Sequence, residues 1–157
     1  MILSGKGGKI RMKKLAAWLP SAVWMGLIYA MSAMPGDVSG AQSGALLAWL
    51  LSFGERIFPW LAAADIDTLH LLLRKGAHLA AYAVLALLNH RALRLSGAKR
   101  PTLYAFLFAA AYAAADEFHQ GFVAGRGPSA ADVLIDASGS LMALFALRAC
   151  KKCSSHK

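Results

Sequence analysis

The sequence predicts an all-α integral membrane protein: a bundle of four transmembrane helices, with an additional short interfacial or re-entrant helix between helices 1 and 2. Three observations carry that reading. Hydrophobic residues make up 58% of the 157 positions and charged residues 16%, too apolar for an ordinary soluble domain of this size. Leu15–Met34 runs 20 residues without a charge, enough at helical rise to cross hydrocarbon. The basic residues also segregate. Lys6, Lys9, Arg11, Lys13 and Lys14 precede the first apolar run. Arg91, Arg94, Lys99 and Arg100 lie between the second and third, and Arg148, Lys151, Lys152 and Lys157 follow the last. No Asp or Glu shares those segments, whereas Arg56, Arg74, Lys75 and Arg126 fall among all the acids. This alternation is the positive-inside pattern of a plasma (inner) membrane protein with both termini cytoplasmic.

The formal net charge of +9 raises nucleic acid as a partner, but the basic residues form no stacking-aromatic face on a soluble fold. Membrane lipids are the expected partners. Cys150 and Cys153 make a Cys-x-x-Cys with no second ligand pair, which reads as free thiols in a reducing compartment. Neither a metal nor a cofactor is expected.

Taken in order, residues 1–14 read as a disordered basic tail, residues 15–149 as one membrane domain, and residues 150–157 as a second basic tail. The basic start of the first span, Leu15–Met34, also fits a signal peptide. Its apolar run exceeds the usual length, and no clean small-x-small cleavage site follows, which favours an uncleaved helix ended by Pro35-Gly36. Ala45–Phe53 is too short to span and is rich in Leu and Trp; Gly54 and Pro59 are expected to break it. Asp65-Ile66-Asp67-Thr68 offers helix-starting caps for a second span, about Leu69 to Leu93. Pro101 suits a first helical position, and the third span runs to about Gln120. Gly121–Pro128 is a turn with Arg126 at its tip, and the fourth span runs from Ala130 to about Arg148, with Gly139 allowing close helix approach.

Polar residues inside this framework mark the candidate site. Charges beside hydrocarbon cost roughly 2.5–3.5 kcal/mol each at a helix centre, so those that persist pair, cap or perform chemistry. Lys75, His78, Tyr82, Leu85 and Asn89 recur at spacings of three, four, three and four, which places them on one helix face. Asp116 and Glu117 sit at the C-terminal end of a helix, where negative charge opposes the macrodipole; they need a partner such as Arg126 or Lys75, or a ligand. Ser129-Ala130-Ala131-Asp132 has capping spacing, although Asp132 divides evenly between cap and site. Asp136, one turn deeper, needs a polar partner facing the bundle.

Lys75-x-x-His78-x-x-x-Tyr82, followed by Asp116-Glu117-x-x-Gln120-x-Phe122-x-x-x-Arg126-x-x-Ser129-x-x-Asp132-Val133-x-x-Asp136-x-x-Gly139, resembles the VanZ-like family of small membrane proteins. Ser32-x-x-Pro35-Gly36 is similar to that family's pattern after the first helix. Two positions depart from it: Asp136 stands where Asn is expected, and Ala143 where a helix-packing glycine is common. The resemblance implies a four-helix membrane protein. It also implies a link to resistance against teicoplanin, since the founding member lowers susceptibility to that lipoglycopeptide without remaking the peptidoglycan precursor.

Three functions stay open. In the first, Lys75, His78, Tyr82, Asp116, Glu117, Gln120, Arg126, Ser129, Asp132 and Asp136 form an outward pocket for a lipid-linked envelope intermediate or a lipoglycopeptide. Lys75 and Arg126 would then contact phosphate or carboxylate. In the second, an intramembrane hydrolase or transferase uses Asp116 or Glu117 as general base, His78 or His119 as acid, and Arg126 against developing charge. In the third, the same charges merely lock the helices together. No Gly-x-Ser-x-Gly elbow or His-Glu-x-x-His motif supports the second.

Overall fold

The computed structural model describes residues 5–57 and 65–154. Among them every regular element is helical: α1 (Gly5–Ala16), α2 (Leu19–Ser32), α3 (Gly36–Ile57), α4 (Ile66–Ser96), α5 (Pro101–Gln120) and α6 (Ala130–Ser154). By length and composition, Met12–Ser32, Ile66–Ser96 and Ala130–Lys151 are apolar enough to cross a membrane. The 20-residue α5, which carries Asp116 and Glu117, is not among them.

Local chemistry explains the boundaries. Asp65 is in extended backbone and its carboxylate accepts the Thr68 N–H at 3.0 Å, starting α4 as an N-cap. Both the hydroxyl and the amide of Thr68 hold that carboxyl below its ordinary range. At the other end Gly97 adopts φ 84°, and the Ala98 N–H reaches back to the Leu93 carbonyl. That left-handed stop suits glycine, which has no Cβ to strain. Pro101 opens α5.

Four expectations need correction. Residues 5–16 are helical rather than a disordered tail. The first span is not one continuous helix, because the chain turns at Ala17–Trp18. Pro20 explains that turn, since it lacks an N–H and its ring opposes a helix continuing from the preceding turn. The segment after Pro35 is a 22-residue helix rather than a short one, and Gly54 lies inside it. One interior glycine costs a helix only about 1 kcal/mol, which packing absorbs. Pro59 falls outside the described residues. The C-terminal segment likewise continues α6 to Ser154.

α4, α5 and α6 pack on one another to form the centre; α2 lies against α4 and α5, and α3 runs along α4. The polarity is inverted relative to a soluble bundle. Leu19, Leu72, Leu107, Phe145 and many like them face outward. The interior holds Ala86, Ala105, Ala109 and Ala113 beside Asn89, Asp116, Asp136 and Ser140. Small residues at four-residue spacing on α5 let backbones approach, as helices in hydrocarbon require. Side chains then tie helix to helix. Trp24 Nε1 donates to the Ala81 carbonyl at 2.9 Å, Tyr112 Oη to Met25 at 2.8 Å, and Ser140 Oγ to Tyr82 at 3.1 Å.

α4 and α6 approach each other closely at Gly139. A Cβ at Gly139 would overlap the carbonyl oxygen of Leu79 and stand 3.0 Å from its carbonyl carbon. Because the obstacle is backbone, it cannot move aside cheaply. Gly139→Ala is therefore expected to destabilise the folded chain by about 1–3 kcal/mol. Thermal unfolding in detergent checks this, and an unchanged midpoint would mean that the two helices are not this close.

Candidate functional site

The antiparallel run of α2, α4, α5 and α6 brings the nominated residues to one end of the bundle. At the opposite end Trp18 Nε1 meets Ser96 Oγ at 3.3 Å. Each carboxylate has its own local partner, and few of those partners are the ones that spacing alone suggests.

Asp116 is buried on α5. Its Oδ2 accepts from Ser32 Oγ at 2.8 Å and from Gln120 Nε2 at 3.4 Å, joining the end of α2 to the end of α5. Glu117, also buried, accepts the Ser129 backbone N–H on Oε1 at 2.6 Å. It thus sits at the positive N-terminal end of α6, where a carboxylate is favourable, although it opposes the dipole of its own helix. Ser129 Oγ accepts the Asp132 N–H at 3.4 Å, so Ser129 is the cap that its spacing announces. The reciprocal half of a capping box is replaced. Asp132 turns away to Lys75, with Nζ to Oδ1 at 2.6 Å, and Glu117 takes the Ser129 amide instead. Both members of the Lys75–Asp132 pair are about one-third exposed, which keeps its stabilisation near 0–1 kcal/mol.

Asp136 finds the bundle-facing partner its position requires: its Oδ2 lies 3.6 Å from His78 Nδ1, and its side chain is 3% exposed. His78 therefore faces Asp136, with no hydrogen bond to Asp116 or Glu117 among the described residues. Tyr82 is fully buried one turn further along α4, and its hydroxyl, Asp116 Oδ1 and Asp136 Oδ1 have no hydrogen-bond partner among the described residues. His119 stacks on Tyr29 with ring centroids 4.9 Å apart and makes no hydrogen bond to Glu117 among the described residues. Among the described residues, no three His, Cys, Asp or Glu side chains form a metal-binding group.

Arg126 does not stand at the tip of its turn. It folds back, half-buried, and its Nη2 donates to the Met31 carbonyl at 3.3 Å. The turn itself is fixed by backbone contact: Gly36 N–H donates to the Ala124 carbonyl at 2.9 Å, and Gly125 adopts φ 72° against Gly36. Neither Arg126 nor Lys75 pairs with Asp116 or Glu117 among the described residues.

Two cavities share the Arg74, His78 and Arg126 side chains. One of about 170 Å³ is polar and also touches Lys75, Gln120, Asp132 and Asp136. The other, about 300 Å³, opens between α2, α3 and α4 and is walled chiefly by Ile28, Leu46, Leu73, Ala77 and Ala81. Sequence reasoning missed Ser32, Arg74 and the α3 wall. For Ser32 the signal was its place at the end of an apolar run. For Arg74 it was a second cation adjoining Lys75.

An all-helical protein with apolar side chains outward and charges gathered at one bundle end belongs to the class of small membrane proteins. A family model described as VanZ/LLP1 matches residues 17–151, and the chain belongs to that family. Neither a curated protein nor a solved structure matches it.

The Glu117–Ser129 bond generates a prediction. Glu117→Ala leaves the first turn of α6 without its acceptor and is expected to lower stability by about 1–3 kcal/mol. Glu117→Gln keeps an acceptor oxygen and should lose far less, as measured by detergent melts of both variants. Equal losses would show that charge rather than the hydrogen bond holds the helix end.

Proposed function

We propose that the chain is a multi-pass plasma-membrane protein in which α2, α4, α5 and α6 span the bilayer. Both termini are cytoplasmic, and an outward-facing polar site binds or handles an envelope lipid or amphiphile. One observation carries this reading: a polar cavity and an apolar cleft share a wall made by Arg74, His78 and Arg126. An amphiphile needs both environments side by side, and most of the cleft's apolar wall belongs to helices that would face lipid. The positive-inside charge pattern supports the orientation.

A second reading, an intramembrane hydrolase or transferase acting on a lipid-linked substrate, draws support from Asp116 Oδ1, Asp136 Oδ1 and the Tyr82 hydroxyl. These atoms are buried without hydrogen-bond partners among the described residues, and Asp136 lies against His78. Buried polar atoms left unsatisfied cost free energy that a functional site tolerates.

Orientation is tested with a membrane-impermeant maleimide on intact cells. Ala124→Cys should label, whereas native Cys150 and Cys153 label only after permeabilisation; the reverse pattern would invert the site. Function is tested by susceptibility of a Gram-positive host to teicoplanin and to a glycopeptide lacking a lipid tail. The wild type should protect against the lipidated drug alone. Arg126→Ala should lose that protection and Glu117→Gln retain most of it, at matched membrane levels. Complete loss in Glu117→Gln would favour the hydrolase. If the wild type shifts neither drug, the resistance link is dropped and co-purifying lipids become the readout.

A further inference from the structure

Around the two cavities each acid has a neighbouring polar group, although Asp116 and Asp136 each keep one buried oxygen without a hydrogen-bond partner among the described residues. Asp132 is held by Lys75, Asp136 lies against His78, Glu117 caps α6, and Asp116 receives Ser32 and Gln120. The guanidiniums are not engaged in this way. Arg126 makes its hydrogen bond to a neutral carbonyl, and its Nε is buried with no hydrogen-bond partner among the described residues. Arg74 has no ion-pair or hydrogen-bond partner among the described residues, although it lines both cavities. Burial first, and the charge of Arg74 second, hold the Arg126 guanidinium below its ordinary value, more strongly than Asp116 and Glu117 act in the other direction. Two cations that repel each other across one cleft leave a place for an anion.

We infer that the cleft between α2, α3 and α4 takes an amphiphile with a phosphate-class oxyanion head, the head on Arg74 and Arg126 and the alkyl tail along Ile28, Leu46, Leu73 and Ala77. This rests on the amphiphile site proposed above and names its ligand class. Guanidinium forks match the geometry of phosphate oxygens and form charge-assisted hydrogen bonds that a hydrated ammonium matches less well. Gln42 and Ser39 of α3 line the same cleft and offer neutral donors. The cleft's volume of about 300 Å³ is at the lower end for small-molecule sites, enough for a head group and part of a chain. A cationic amphiphile would meet two unneutralised guanidiniums, and a free phosphate would leave the apolar walls unused.

The test is native mass spectrometry of the full chain in a neutral detergent, titrated separately with dodecyl phosphate, inorganic phosphate and dodecyltrimethylammonium. Dodecyl phosphate should bind most tightly. Arg74→Gln, at an exposed position, and Arg126→Gln should each weaken it about tenfold or more. Arg126→Lys, which keeps the charge and loses the fork, should fall between Arg126→Gln and the wild type. Ala77→Phe, which fills the cleft, should weaken dodecyl phosphate specifically. Equal binding of dodecyltrimethylammonium, lost in Ala77→Phe, overturns the oxyanion head and leaves the amphiphile site standing. Inorganic phosphate binding as tightly as dodecyl phosphate overturns the tail. Unchanged dodecyl phosphate affinity in both Arg→Gln variants overturns the assignment of the head to these residues. If none of the three probes is retained, this inference and the amphiphile site fall together.

Discussion

A carboxylate close to hydrocarbon must be solvated by the protein, because no water is at hand to do it. That constraint shapes the charged end of this bundle. Asp116 is met by a hydroxyl and an amide, Glu117 by a backbone N–H at a helix start, Asp132 by an ammonium and Asp136 by an imidazole. Asp116 reaches α2, Glu117 the residue before α6, and Asp132 and Asp136 both reach α4, so the four acids together stitch α2, α4, α5, α6 and the turn after α5 into one end. The proposed binding site and the architecture draw on the same side chains here. Residues that look chemical in isolation are in part the means by which the helices know their register.

The interior obeys the complementary rule. With lipid as apolar as leucine, burying leucine gains little, and helices associate through close backbone approach and interhelical hydrogen bonds. Ala105, Ala109 and Ala113 clear the way on α5, and Gly139 does so on α6. The same α5 face continues to Asp116 and Gln120, so the packing stripe leads directly into the polar cluster.

Much of this was legible in the sequence. Pro101 and the Asp65–Thr68 cap fix helix ends through backbone chemistry that acts within a few residues, and the polar spacing on α4 places Lys75, His78 and Tyr82 on one helix face. The pairing of charges was not legible in that way. The macrodipole asked for a partner to Asp116 and Glu117, such as Arg126 or Lys75 or a ligand, but a charge argument of this kind does not say which neighbouring helix supplies it. Ser32 lies 84 positions from Asp116, and no local pattern joins them. The length of α3 was misread because Gly54 was weighted as a breaker at one end and the polar, glycine-containing stretch 36–44 carried no apolar signal at the other, and the break before α2 was missed because Pro20 lay inside an otherwise uniform apolar run.

The contact between Gly36 and the 121–128 turn has a mechanical meaning. Gly36 begins α3, one wall of the apolar cleft, while the turn it grips through the Ala124 carbonyl carries Arg126. A hydrophobic wall and a charged contact are thus coupled through a single backbone hydrogen bond between residues 88 positions apart. Pulling the start of α3 outward breaks that bond or drags Arg126 with it. Widening the apolar cleft and loosening the charged end are consequently one displacement, not two.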